Sequence, residues 1–82
     1  MAARVCVISK PVPDLSPGDC VVVNGQALYL EERTGRNAGY DEWRFTRYWD
    51  SGQVAARGRM SFRHDSSTPV VAFTTDGRVV VP

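Results

Sequence analysis

Residues 20–33 have the sequence CVVVNGQALYLEER, and this stretch decides the class of fold. Its three consecutive valines are stiff at χ1 and pack well on a pleated surface, so residues 20–23 predict a β-strand. Asn24-Gly25 tolerates the positive φ angles of a two-residue type I′ turn, which is a strong hairpin signal. Residues 26–33 then form the returning strand. The stretch therefore predicts an antiparallel β-hairpin.

The rest of the chain repeats this pattern of short apolar runs and turns. Valine dominates the apolar residues, and no long window shows helical spacing without an interrupting Gly or Pro. We predict strands at residues 4–9, 20–23, 26–33, 42–50, 53–64, 69–75 and 78–82. We predict turns at 16–19 (type II), 50–52 and 76–77, loops at 34–41 and 65–67, and a bend or bulge at Gly58. In the hairpin around residues 76–77, Phe73 would face Val80 and Thr75 would face Arg78.

These elements predict a single all-β domain over residues 1–82 without a substantial helix. Its expected form is a small antiparallel SH3-like or OB-like barrel, or a two-sheet sandwich, of about six or seven short strands. Residues 15–23, LSPGDCVVV, are similar to the opening of many SH3-like and KOW-type barrels, where a Pro/Gly turn and an Asp precede a Val-rich strand. The resemblance implies a barrel and assigns no functional residue.

Charge and cysteine content limit the function classes. The chain has ten basic and nine acidic residues, a net charge of +1, so no global field attracts nucleic acid or an anionic membrane. No apolar run is long enough for a secretory core or a membrane span, which favours a cytoplasmic protein. Cys6 and Cys20 are then expected to be buried free thiols, although a bridge between neighbouring strands stays open. With one histidine, they do not form a zinc site.

The sequence offers little support for catalysis. His64, Asp65 and Ser66 or Ser67 are sequence neighbours, and triad residues normally come from different elements. Adjacent acids, Glu31-Glu32 and Asp41-Glu42, would point to opposite faces of a strand. No Gly-rich phosphate loop is present. We therefore predict no enzymatic activity, no cofactor and no metal.

The candidate site is the aromatic and arginine segment at residues 43–49 with its returning strand. Trp43 and Phe45 share a face by alternation and are expected to fill the core. The predicted partner-binding residues are Arg44, Arg47, Tyr48, Trp49, Arg57 and Arg59. An ordinary solvated surface stays open as well, in which Arg44 and Arg47 pair with acids such as Glu31, Glu32, Asp41 or Asp50.

Two binding functions follow from this segment. Trp, Tyr and Arg are enriched at protein hot spots, so the leading hypothesis is a non-enzymatic module that recognises a protein partner. Such compact domains are often accessory, inhibitory or structural proteins of phages or mobile elements. The alternative is a single-stranded nucleic-acid-binding β-barrel using the same face. Residues 79–81 are flat and apolar, and a homodimer through this strand is a further hypothesis.

Overall fold

The computed structural model describes residues 4–75 and 78–80, most of which lie in β-strands. The strands are β1 (Arg4–Pro11), β2 (Cys20–Val23), β3 (Gln26–Asn37), β4 (Tyr40–Tyr48), β5 (Val54–Arg63), β6 (Ser67–Thr75) and β7 (Arg78–Val80). They form one sheet in the order β1-β6-β2-β3-β4-β5, with β7 also paired to β6. The all-β prediction is confirmed for the described residues, whose one helical element is a 3₁₀ turn at Val12–Asp14.

The sheet is not a closed barrel. Within the described residues, its two outermost strands, β1 and β5, do not pair with each other, and all strands belong to one sheet. Closure requires a consistent register around the barrel. Here β3 has 12 residues and β5 has 10, whereas β2 has only 4. The long β3-β4-β5 meander therefore extends beyond the short strand that would have to continue the barrel wall.

The two N-terminal turns form as predicted. Asn24 and Gly25 both have positive φ, and Val23 pairs with Gln26 across them. In the turn at residues 16–19, Gly18 has φ of 95° and the Asp19 amide donates to the Ser16 carbonyl, as a type II turn requires.

Residues 34–41 are not a loop, and this prediction was wrong. β3 continues to Asn37 and β4 begins at Tyr40, so only Ala38-Gly39 separates them, both with positive φ. Two register shifts, between Leu30 and Glu32 and between Arg33 and Gly35, interrupt the β3-β4 pairing. β-bulges of this kind bend and coil a strand without ending it. Polar residues and glycines that resemble a loop therefore belong to a long bulged hairpin.

Gly58 is neither a bend nor a bulge, because β4 and β5 pair without a shift around it, directly opposite Phe45. A Cβ atom at this position would lie 3.1 Å from Cζ of Phe45. The missing side chain therefore makes room for the Phe45 ring, which is a second common reason for a glycine inside a strand.

One face of the sheet holds the core. Its buried residues are Val12, Leu15, Val21, Leu28, Leu30, Trp43, Phe62 and Val70. Trp43 is 1% exposed, and Phe45 packs against this cluster from its edge. Both residues have the core role that alternation predicted.

The C-terminal hairpin has the predicted register where it is described. β7 pairs with β6 so that Phe73 lies opposite Val80 and Thr75 opposite Arg78. The turn at residues 76–77 and Val81, which belongs to the predicted dimer strand, lie outside the described residues. No helix in the described part of the chain has the length and apolar character needed to cross a membrane.

Candidate functional site

Four of the six predicted binding residues share the face of β4 and β5 that points away from Trp43, here called the outer face. Directly opposite residues of antiparallel strands lie on the same side, and Arg44 is opposite Arg59 while Thr46 is opposite Arg57. Tyr48 follows Thr46 by two positions and lies on that side too. The meander therefore brings Arg44, Tyr48, Arg57 and Arg59 onto one surface.

Arg47 and Trp49, the other two predicted binding residues, are not part of this outer-face set. Arg47 lies opposite Ala56, and the pairing shifts between Arg47 and Tyr48, where β4 nears its end. The Arg47 guanidinium stacks over the Trp49 ring with its central carbon 5.4 Å from the ring centroid, within cation–π range. The sequence left open whether a bulge or an outward side chain separates Tyr48 from Trp49. Both side chains are exposed, Tyr48 by 46% and Trp49 by 57%, and the register shift lies one residue earlier, between Arg47 and Tyr48.

An open groove of about 810 Å³ lies at this end of the sheet. Its walls are the start of β3, the end of β4 and the following turn. The residues that line it are Gln26, Ala27, Tyr29, Arg47, Tyr48, Trp49, Asp50 and Ser51. We call it the aromatic groove. Three of the six predicted binding residues line it, and Arg44, Arg57 and Arg59 lie outside its lining.

Tyr29 is the aromatic residue of the groove lining that was not predicted from the sequence. It is 43% exposed, and its ring meets Tyr48 edge to face with 5.3 Å between centroids. That geometry is favourable for aromatic pairs. The signal was available, because Leu28 and Leu30 are buried on the core face and alternation turns Tyr29 to the opposite face.

Glutamates of β3 neutralise Arg44. Its Nε lies 3.1 Å from a Glu31 carboxylate oxygen, and its Nη2 lies 3.2 Å from Glu32. The bulge between Leu30 and Glu32 lets both adjacent acids reach one guanidinium, contrary to the expectation that they point apart. A hydrogen bond from the Thr46 hydroxyl is the main reason that the pKa of Glu31 lies below its usual value, with Arg44 adding to it. The predicted cross-strand pairing of Arg44 is confirmed.

The remaining outer-face charges are also mixed. Arg59 approaches the Glu42 carboxylate at 4.0 Å, and Arg57 lies opposite Thr46, which binds Glu31. Arg44 and Arg59 therefore lie beside glutamates, whereas Arg57 makes no ion pair with a described carboxylate. The paired arginines interrupt any row of free cations along these strands.

A second polar cluster ties the far end of the meander together. Asp41 is fully buried, and its carboxylate lies 2.9 Å from Arg36 Nε, 3.6 Å from Arg33 Nε and 3.1 Å from His64 Nδ1. Burial alone would raise the pKa of Asp41, but the hydrogen bonds and charges of Arg36 and His64 outweigh it, so the pKa lies below its ordinary value.

This cluster has a structural role. No serine or cysteine among the described side chains hydrogen-bonds His64, and the Ser66 hydroxyl donates to the Arg63 carbonyl instead. The backbone amide of His64 also donates to the Gly39 carbonyl at 2.7 Å. Asp41 and His64 therefore hold the β3-β4 turn against the end of β5.

The cysteines are both free thiols. Cys20 is 3% exposed and lies opposite Tyr29, and burial is the main cause that raises its pKa. Cys6 is half-buried on β1. Two buried free thiols were expected; both cysteines are free, but Cys20 is buried and Cys6 is not.

Comparisons with family models, with curated proteins and with solved structures found no match to this chain. The geometry of the aromatic groove therefore carries the functional proposal.

Proposed function

We propose that this chain is a non-enzymatic binding module that recognises a protein partner through the aromatic groove. The observation that carries the proposal is the exposure of Tyr29, Tyr48 and Trp49 side by side around one concavity. Scattered apolar residues on a surface are ordinary, whereas clustered aromatic side chains mark interaction sites.

The core does not need these aromatic residues. Trp43, Phe62, Phe45 and the three leucines already fill the other face of the sheet. Tyr and Trp supply large contact areas with few rotatable bonds, and they are the residues most enriched at interface hot spots. A partner that covers the groove would bury area that folding leaves in water.

Charge balance favours a protein over a nucleic acid. Strands that bind a phosphate backbone need several free cations, and binding strength scales with the number of phosphates neutralised. Here Arg44 is bound to two glutamates, Arg59 lies near a third, and Asp50 lines the groove itself. Mixed charges around apolar side chains are typical of the rim of a protein interface.

We propose an accessory, inhibitory or structural role of the kind that phages and mobile elements encode. Two free thiols fit a reducing compartment, so a cytoplasmic location belongs to the proposal. The size and strand number resemble SH3-like and OB-like domains, and no functional residue is taken from that likeness.

Affinity capture with matched baits tests the proposal. The wild-type chain, Trp49→Ala and Tyr40→Ala are immobilised and exposed to lysate of the source cells, and bound proteins are identified by mass spectrometry. Tyr40 is a suitable control because it is 47% exposed, like Tyr48, but lies at the opposite end of β4. We expect a partner that the wild type and Tyr40→Ala retain and Trp49→Ala loses. Equal retention by all three baits would contradict the proposal.

The alternative is a module that binds single-stranded nucleic acid. It is favoured by the position of Arg57 and Arg59 on the same outer face as Tyr48, since stacking rings beside arginines bind single strands. Tryptophan fluorescence during titration with oligonucleotides, at low and moderate salt, tests it. Saturable quenching that weakens with salt and is lost in Arg47→Ala or Arg59→Ala would support the alternative, and a flat response would exclude it.

A further inference from the structure

Arg47 is the arginine that lines the aromatic groove, whereas Arg57, which also makes no ion pair with a described carboxylate, lies outside that lining. The Arg47 guanidinium is held against the Trp49 ring, and it makes no ion pair with any described carboxylate. Arg44, by contrast, is bound by two glutamates at 3.1 and 3.2 Å. The stacked ring restricts the Arg47 side chain before any ligand arrives. The groove therefore contains one oriented cation whose hydrogen-bond donors are available.

A guanidinium of this kind is suited to a carboxylate. Its planar fork matches both carboxylate oxygens, and less side-chain entropy is lost when the fork is already oriented. Stacking on an aromatic face leaves the edge of the guanidinium, where the N–H groups point, free to donate. Tyr29 and Tyr48 provide an apolar surface in the same groove.

The second charged residue of the groove is an acid, which limits the charge of a ligand. Asp50 follows β4 in the turn and makes no ion pair among the described side chains. An acidic group of the ligand beside Asp50 would be repelled, whereas one beside Arg47 is attracted. A uniformly anionic ligand such as a phosphate backbone would meet both charges, which disfavours it.

Building on the proposed function, we propose that the aromatic groove binds an extended acidic segment of the partner protein. An Asp or Glu of the segment pairs with Arg47, and a neighbouring apolar or aromatic side chain packs on Tyr29 and Tyr48. Arg47 is then the residue that determines specificity, and Trp49 is the residue that positions it.

Selection from a library of short random peptides displayed on phage tests this inference. The baits are the wild-type chain, Arg47→Met, which keeps an apolar stem for Trp49, Trp49→Ala, and Arg63→Met as a matched control. Arg63 lies at the other end of β5, opposite Tyr40, so its loss removes an equal charge away from the groove. Thermal unfolding of each variant checks that it folds. An enriched peptide and its amide analogue, with Asp→Asn or Glu→Gln, are then titrated by tryptophan fluorescence.

We expect the wild type and Arg63→Met to enrich peptides with an acid beside an apolar residue, and Arg47→Met to lose the preference for the acid. Arg47→Met should weaken binding of the acidic peptide about tenfold or more, because a charge-assisted pair is lost. The affinity for the amide analogue should be nearly unchanged. Enriched peptides without an acidic preference, or an equal preference in Arg47→Met, would overturn the inference. If those peptides still require Trp49, the proposed function survives that result. If no peptide is enriched, or Trp49→Ala binds as well as the wild type, both fail.

Discussion

Replacement of Asp41 by Asn removes the negative charge at the centre of the polar cluster while keeping the side-chain shape. In the wild type, Arg36 donates to Asp41 at 2.9 and 3.3 Å, and His64 lies 3.1 Å away. Asn retains one acceptor oxygen but presents an amide group in place of the other. At least one of the Arg36 hydrogen bonds is therefore lost, and the cations no longer face a carboxylate.

The cost follows from the burial of each partner. A hydrogen bond to a charged group contributes about 1.5–3 kcal/mol, and loss of one partner from a fully buried ion pair costs about 3–5 kcal/mol. The side chains of Arg36 and Arg33 are 51% and 32% exposed, so water solvates them when the carboxylate is gone. We therefore expect a loss of about 2–3 kcal/mol, out of a total of roughly 4–12 kcal/mol for a chain of this length.

Urea unfolding at several pH values measures this loss. The pKa of Asp41 is lower in the folded than in the unfolded chain, so its contribution is complete above the unfolded value of about 3.9 and disappears as pH falls through the folded value. The difference between wild type and Asp41→Asn should be constant near neutrality and shrink below pH of about 4. Asp65→Asn is the control, because the Asp65 side chain is 73% exposed.

An Asp41→Asn variant within about 0.5 kcal/mol of the wild type at neutral pH, the range typical of exposed substitutions, would refute a stabilising role of the Asp41 carboxylate. A difference that persisted unchanged at acid pH would refute the electrostatic explanation while leaving the structural importance of the position.

Three further outcomes are expected. Gly58→Ala places a methyl group 3.1 Å from the Phe45 ring, so the ring must move by a few tenths of an ångström, and we expect a lower midpoint in urea unfolding; an unchanged or raised midpoint would show that the ring does not need the glycine. Because Cys20 is buried with a raised pKa, iodoacetamide should modify Cys6 much faster than Cys20, as measured by mass spectrometry of the digested protein. Equal rates at the two cysteines would contradict this expectation. A homodimer through residues 79–81 predicts a dimeric mass by light scattering at micromolar concentration that Val80→Lys abolishes, and a monomeric wild type removes that hypothesis.

Local chemistry made several elements of this fold predictable from sequence. Asn24-Gly25 places two positive φ angles between alternating strands, which specifies both the turn and the register of β2 and β3. The alternation of Trp43 and Phe45 assigned the core face of β4 in the same way. Two adjacent aromatic residues cannot share one face of a regular strand, so the sequence predicted an outward side chain or a bulge at Tyr48 and Trp49, and both side chains are exposed.

Tertiary pairing was the part that the sequence could not supply. Arg36, Asp41 and His64 meet because β5 returns beside β4, and 23 positions separate Asp41 from His64 in the chain. Without that contact, residues 34–41 have the composition of a loop. The bulge before Glu32 likewise changes the alternation that was expected to point Glu31 and Glu32 to opposite faces. Closure of the sheet into a barrel depends on the relative lengths of strands that are distant in the sequence.

Chemical-shift mapping of the isolated partner on the isotopically labelled chain tests the central claim most directly, because it reports every backbone amide at once. The account predicts that the largest shifts fall on residues 26–29 and 47–51, which surround the aromatic groove, with small shifts at the far end of the meander. Shifts concentrated on residues 35–42 and 61–65, or along β1, with the groove unchanged, would contradict it.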